Sequence, residues 1–147
     1  MKIQFLSVAV LRLVASSAMA CPDLSGKYSC GVSIDNSVRN IEIQQNGNAF
    51  KIKNVTADNS IFEVLADGKA KSASFDEMKT DYLASCDSNS ATLTVDSSIE
   101  LKKSGTIMLT KFEYVKPSAN SLVLTLSSAL RQNGLDSTSK IVYTCNK

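Results

Sequence analysis

Between short turns, this chain alternates apolar and polar residues with a period of two through most of its length. Tyr28, Cys30, Val32 and Ile34 alternate with Ser29, Gly31, Ser33 and Asp35. Leu93, Val95, Ile99 and Leu101 alternate with Thr92, Thr94, Asp96, Ser98 and Glu100, and Ile141, Tyr143 and Cys145 with Lys140, Val142 and Thr144. Successive side chains of a strand point to opposite faces, so each run is a strand with one apolar and one wet face. The runs are separated by Asn46-Gly47, Asp67-Gly68, Ser104-Gly105 and Asn133-Gly134, pairs that supply the positive φ of tight hairpins.

Strands are expected over 27–34, 38–45, 48–56, 60–66, 69–74, 81–86, 90–103, 106–116, 121–131 and 138–146. The segment 81–86 is ambiguous. Ser74 and Glu77 have capping-box spacing, which also fits a short helix over 75–83. The fold class is all-β, an antiparallel up-and-down barrel of about eight to ten strands, with a β-sandwich as the alternative. Uniformly short connections favour the meander.

Residues 1–20 carry a short basic start at Met1-Lys2, an apolar run interrupted by Arg12, and the small-residue ending Ala18-Met19-Ala20. This is the pattern of a cleaved export signal, which leaves one domain over 21–147 and a secreted or periplasmic location. No other run reaches the ~20 apolar residues of a membrane-spanning helix. Removing Lys2 and Arg12 leaves equal numbers of basic and acidic residues. That balance argues against nucleic acid, whose binding rests on clustered cations. The longest basic run is Lys102-Lys103.

Four cysteines, Cys21, Cys30, Cys86 and Cys145, read as two disulfides behind an export signal. A lipoprotein anchored at Cys21 is the rival, but Ala18 stands where that motif usually has Leu, and acylation would leave an odd cysteine. In a meander with an even number of strands, the last strand lies antiparallel beside the first, which places Cys145 against Cys30. Cys86 then ends a strand on the same floor as Cys21. Pairing Cys21 with Cys30 and Cys86 with Cys145 remains open.

Cys21-Pro22-Asp23-Leu24-Ser25-Gly26-Lys27-Tyr28 resembles the opening of calycins, the superfamily of lipocalins and avidins. There a Gly-x-Trp signature starts the first barrel strand; here Gly26-Lys27-Tyr28 has Tyr in its place. The resemblance implies a closed barrel with Tyr28 at its floor, and a bridge from the leading Cys to a mid-chain Cys. It does not imply biotin binding, because that site rests on tryptophans and this chain has none.

Chemistry is narrowed mainly by exclusion. With no histidine, the chain lacks His-based nucleophilic systems and His-ligated metals, and it has no Cys-x-x-Cys spacing. Asp76-Glu77 and Glu63 with Asp67 are the nearest thing to paired carboxylates. No Ser-x-x-Lys stands on a helix, and no phosphate-binding Gly-rich loop occurs. The expectation is a non-enzymatic barrel without cofactor or metal, holding a small apolar ligand. Its lining is expected from Tyr28, Phe50, Phe112, Tyr114, Leu122, Leu124 and Tyr143, with Ser97 and Thr110 as inward hydroxyls. Two alternatives are a protein-binding module, such as a secreted protease inhibitor with a free N-terminal arm, and a structural envelope protein without a pocket. Export is checked by mass spectrometry of the mature protein: the expected N-terminus is an unacylated Cys21, and a diacylglyceryl mass there would overturn the four-cysteine reading.

Overall fold

The computed structural model describes residues 21–32, 38–55, 59–132 and 134–147. The expected export signal over 1–20 and the end of the first expected strand, at 33–34, lie outside them. Ten strands follow in order: β1 (Gly26–Val32), β2 (Val38–Asn46), β3 (Ala49–Asn54), β4 (Ile61–Leu65), β5 (Ala70–Ser74), β6 (Met78–Asp87), β7 (Thr92–Leu101), β8 (Thr106–Ser118), β9 (Ser121–Gln132) and β10 (Leu135–Asn146). There is no helix among the described residues. Over 75–83 the helical alternative loses to the strand. Met78, Thr80, Tyr82, Ala84 and Cys86 hold a period of two, and the Phe75 amide bonds back to the Met78 carbonyl in a tight turn.

All ten strands lie in one antiparallel sheet, strongly curled into a half-barrel. Its order is β4-β3-β2-β1-β10-β9-β8-β7-β6-β5. Every neighbouring pair is a sequential hairpin except β1 with β10, where the two ends of the meander meet. A sandwich would need two sheets, and only one forms. Pro117, which cannot donate to a ladder, falls at the register shift between Val115 and Ser118 in β8.

Cys30 lies directly opposite Cys145 in the β1–β10 ladder, and their sulfurs are bonded with the Cα atoms 3.9 Å apart. The second bridge, Cys21–Cys86, joins the segment before β1 to the end of β6. That segment is pinned across one end of the half-barrel. Leu24 is fully buried, its amide donates to Gln45 Oε1 at 2.8 Å, and Lys116 Nζ donates to the Asp23 carbonyl. Gly26 follows at φ 154, and a Cβ there would sit 2.5 Å from Lys147 Cε. A side chain at this position therefore needs both an unfavourable backbone angle and a displaced lysine.

Inward residues of these strands form the core: Tyr28, Ile43, Phe50, Leu93, Val95, Leu122 and Tyr143 are buried. Tyr28 is 2% exposed, and its hydroxyl donates to the Leu24 carbonyl at 2.9 Å. One ring thus fills the floor and fixes the plug above it. Replacing Tyr28 with Ala is expected to cost about 3–5 kcal/mol in chemical denaturation, as for a large buried aromatic. A loss within about 0.5 kcal/mol would mean that the floor does not depend on the ring.

Candidate functional site

Cross-strand register places five hydroxyl residues side by side. Tyr82 on β6 opposes Ser97 on β7, Ser97 opposes Thr110 on β8, Thr110 opposes Ser128 on β9, and Ser128 opposes Ser139 on β10. The next inward register is apolar: Ala84, Val95, Phe112, Leu126 and Ile141. The hydroxyls are partly paired among themselves. Ser128 Oγ and Ser139 Oγ lie 2.7 Å apart, and Ser97 Oγ is 3.5 Å from the Thr110 carbonyl. Small side chains across five strands leave room, and a cleft of about 680 Å³ crosses β5 to β10 at this level.

Three adjacent registers border this cleft. The hydroxyl row is central. Ala70, Leu83, Asp96, Lys111, Ser127 and Lys140 flank one side, and Asp81, Ser98, Leu109, Ala129 and Thr138 the other, bordering it with their backbone while their side chains point to the opposite face. Several of the bordering charges have partners. Lys111 pairs with Glu113 at 2.9 Å, and Asp81 pairs with Lys79 at 3.0 Å. Ser72 and Lys79 donate to the Asp81 carboxyl and hold its pKa below the usual range, while the Glu113 carboxylate raises that of Lys111.

A second cleft, of about 710 Å³, is bordered by β2, β3 and β4 at Gln45, Phe50 and Val64, and by Tyr82 reaching from β6. Tyr82 therefore borders both clefts, and Lys71 Nζ stands 5.8 Å from its ring centre.

The residues expected to line a pocket divide between cleft and core. Ser97 and Thr110 border the first cleft, and Phe50 the second. Tyr28, Tyr114, Leu122 and Tyr143 are buried in the core, with Phe112 and Leu124 packed against it. Phe112 stacks on Tyr114 with ring centres 6.5 Å apart and meets Phe62 of β4 at 6.1 Å. Arg39 covers the ring of Tyr143 at 5.2 Å. Tyr82, Ser128 and Ser139 were absent from the sequence expectation. Their alternation is visible in the sequence, but their convergence depends on register across five strands.

Three of the four carboxylates considered for acid–base chemistry face a lysine. Glu63 pairs with Lys51, Asp67 with Lys71, and Glu77 with Lys103. Among the described residues, no three His, Cys, Asp or Glu side chains gather as a metal site.

No family model matches the chain, and no curated protein matches it in sequence. Among solved structures, it is similar to a secretory abundant heat soluble (SAHS) protein from Ramazzottius varieornatus. The identity is 10%, the match covers 89% of this chain and 99% of that one, and the TM-score is 0.47.

The tyrosines provide a test that needs no ligand. Burial pushes the Tyr114 hydroxyl well above the ordinary 10.0. Burial, reinforced by the Asp23 charge, also raises Tyr28. The unfolded chain ionises near pH 10 while the folded one holds these protons, so stability is intact below about pH 10 and falls as pH rises beyond it. Ultraviolet titration of the folded protein at about pH 11 is expected to show fewer phenolates than the same chain in denaturant. Equal counts would mean that Tyr114 is open to water.

Proposed function

We propose that this chain is an exported, non-enzymatic β-barrel that holds a small, largely apolar molecule. The observation that carries the reading is the first cleft. Its size falls within the ~300–1,000 Å³ typical of small-molecule sites. Ala84, Val95, Phe112, Leu126 and Ile141, the next register on the same face, offer apolar contact beside a row of neutral hydroxyls. Asp81, Asp96, Lys111 and Lys140 alternate with the row and point to the other face of the sheet, so the site favours an uncharged guest with a few hydroxyl or carbonyl groups. Two disulfides suit an oxidising compartment and support export.

One observation favours protein binding as a second reading. Ile61 and Leu65 on β4 and Phe75 after β5 are exposed apolar residues at the borders of the sheet. An inhibitor acting through a free N-terminal arm has less support, because Cys21 is bridged to Cys86 and the residues after it are pinned.

Nile red, an uncharged apolar dye, tests the first reading. Saturable binding of one dye per chain is expected by fluorescence titration. Ser128→Trp, which fills the central row, and Thr110→Asp, which charges it, are each expected to be folded by circular dichroism. At least one should weaken binding about tenfold or more, a loss of about 1.4 kcal/mol. Absence of saturable binding, or undiminished binding in both folded variants, would overturn it.

A further inference from the structure

The half-barrel has one break, between β4 and β5, and its two edges match. On β4, the Asn54 amide bonds to the Ser60 carbonyl and the Ala66 amide to the Asn48 carbonyl. Even-numbered residues of β4 therefore turn their backbone groups to β3, and Ile61, Glu63 and Leu65 turn theirs to the break. On β5, the Phe75–Met78 bond and the register with β6 turn odd-numbered residues inward to the sheet. Ala70, Ser72 and Ser74 then face the break.

These two sets fit one register. Leu65 opposite Ala70, Glu63 opposite Ser72 and Ile61 opposite Ser74 form three hydrogen-bonding pairs around the four-residue connection Ala66-Asp67-Gly68-Lys69. Sidedness agrees as well. Glu63 shares its face with Lys51, its ion-pair partner, and Ser72 shares its face with Asp81, to which it donates a hydrogen bond. Between them, Val64 and Lys71 both face inward: Val64 is buried, and Lys71 lies over the Tyr82 ring. The strands have equal length, five residues each.

We propose that β4 and β5 pair with each other in this register, closing the sheet into a complete ten-stranded barrel. The structure then represents the open form of a seam that zips and unzips. Two contacts hold the open form. The Gly68 amide bonds to the Ala84 carbonyl of β6, and Asp67 pairs with Lys71 at 2.9 Å. Tyr82 stands beside the break, on the border of the second cleft. Closure exchanges the Gly68 bond for the three edge pairs. It also brings Tyr82 under a continuous wall, so the second cleft loses its opening along the edge of β4. This inference does not depend on ligand binding.

The test is a register-specific cross-link in the full chain with its native disulfides intact. A hydrogen-bonded antiparallel pair has its Cα atoms ~5.5 Å apart, within reach of a disulfide. Glu63→Cys with Ser72→Cys is expected to form an internal bridge on mild oxidation, found by non-reducing peptide mapping. Formation should be about tenfold or more faster than for Glu63→Cys with Ser74→Cys, which is displaced by two residues. Equal rates, or no 63–72 bridge, would overturn the proposal. A bridge between two molecules would also overturn it, by assigning the edge to a second copy. If the cysteine variants do not fold, hydrogen exchange on the unaltered protein decides. The Glu63, Leu65, Ser72 and Ser74 amides are expected to exchange at least about tenfold slower than free peptide, and exchange at the free rate refutes closure.

Discussion

The pairing of the first strand with the last is the constraint on which the rest of the molecule depends. A meander of ten strands is a ribbon, and hairpin contacts alone leave its curvature open. Setting β1 beside β10 forces the ribbon to turn back on itself. That turn directs the inward face of every strand toward one core, where Tyr28 and Tyr143 lie on neighbouring strands. The Cys30–Cys145 bond sits in this ladder at directly opposed positions. A slip of one residue would turn every inward residue of a strand outward, and the bridge excludes it. The plug reinforces the same junction, since Tyr28 holds Leu24 and Cys21 carries the connection on to β6.

The first cleft arises where that curvature meets small side chains. At the level of Val95, Phe112 and Leu126, bulky residues from adjacent strands fill the space. One register away, Ser97, Thr110, Ser128 and Ser139 do not. The same row removes apolar contact and adds hydrogen-bonding capacity, so emptiness and polarity have one origin. A hydroxyl that bonds to a neighbouring hydroxyl or carbonyl is satisfied without a guest and can exchange that partner for one at little cost. This is why neutral chemistry suits the site better than charge.

Much of the fold was legible in the sequence because its signal is local. Alternation at Tyr28-Cys30-Val32 and Asn-Gly or Asp-Gly turns report on neighbours in the chain, and these place nearly all the strands. The segment around Met78 was harder, since Ser74 and Glu77 imitate a helix cap while Tyr82, Ala84 and Cys86 alternate. The position of the break could not be read, because β4 and β5 look like any other hairpin around Asp67-Gly68. Whether they meet depends on how far the other eight strands curl. The site was half visible for a related reason. Ser97 and Thr110 stood out between large apolar residues of their own strands, but Tyr82, Ser128 and Ser139 join them only through the sum of four registers. The large aromatics proved to be core because the sequence shows which side a ring faces, and not how much space lies there.

The Cys30–Cys145 bond also has a mechanical meaning. Tension applied between Cys21 and Lys147 runs from the leading segment through β1 to Cys30, crosses the disulfide to Cys145 and leaves by the last residues. The 115-residue separation between the two bridged cysteines is bypassed. Nearly the whole sheet, including both clefts and the break, hangs as an unloaded loop beside a short covalent path. While that bond is intact, pulling on Cys21 and Lys147 loads only the first half of β1 and the last residues of β10 along the covalent path.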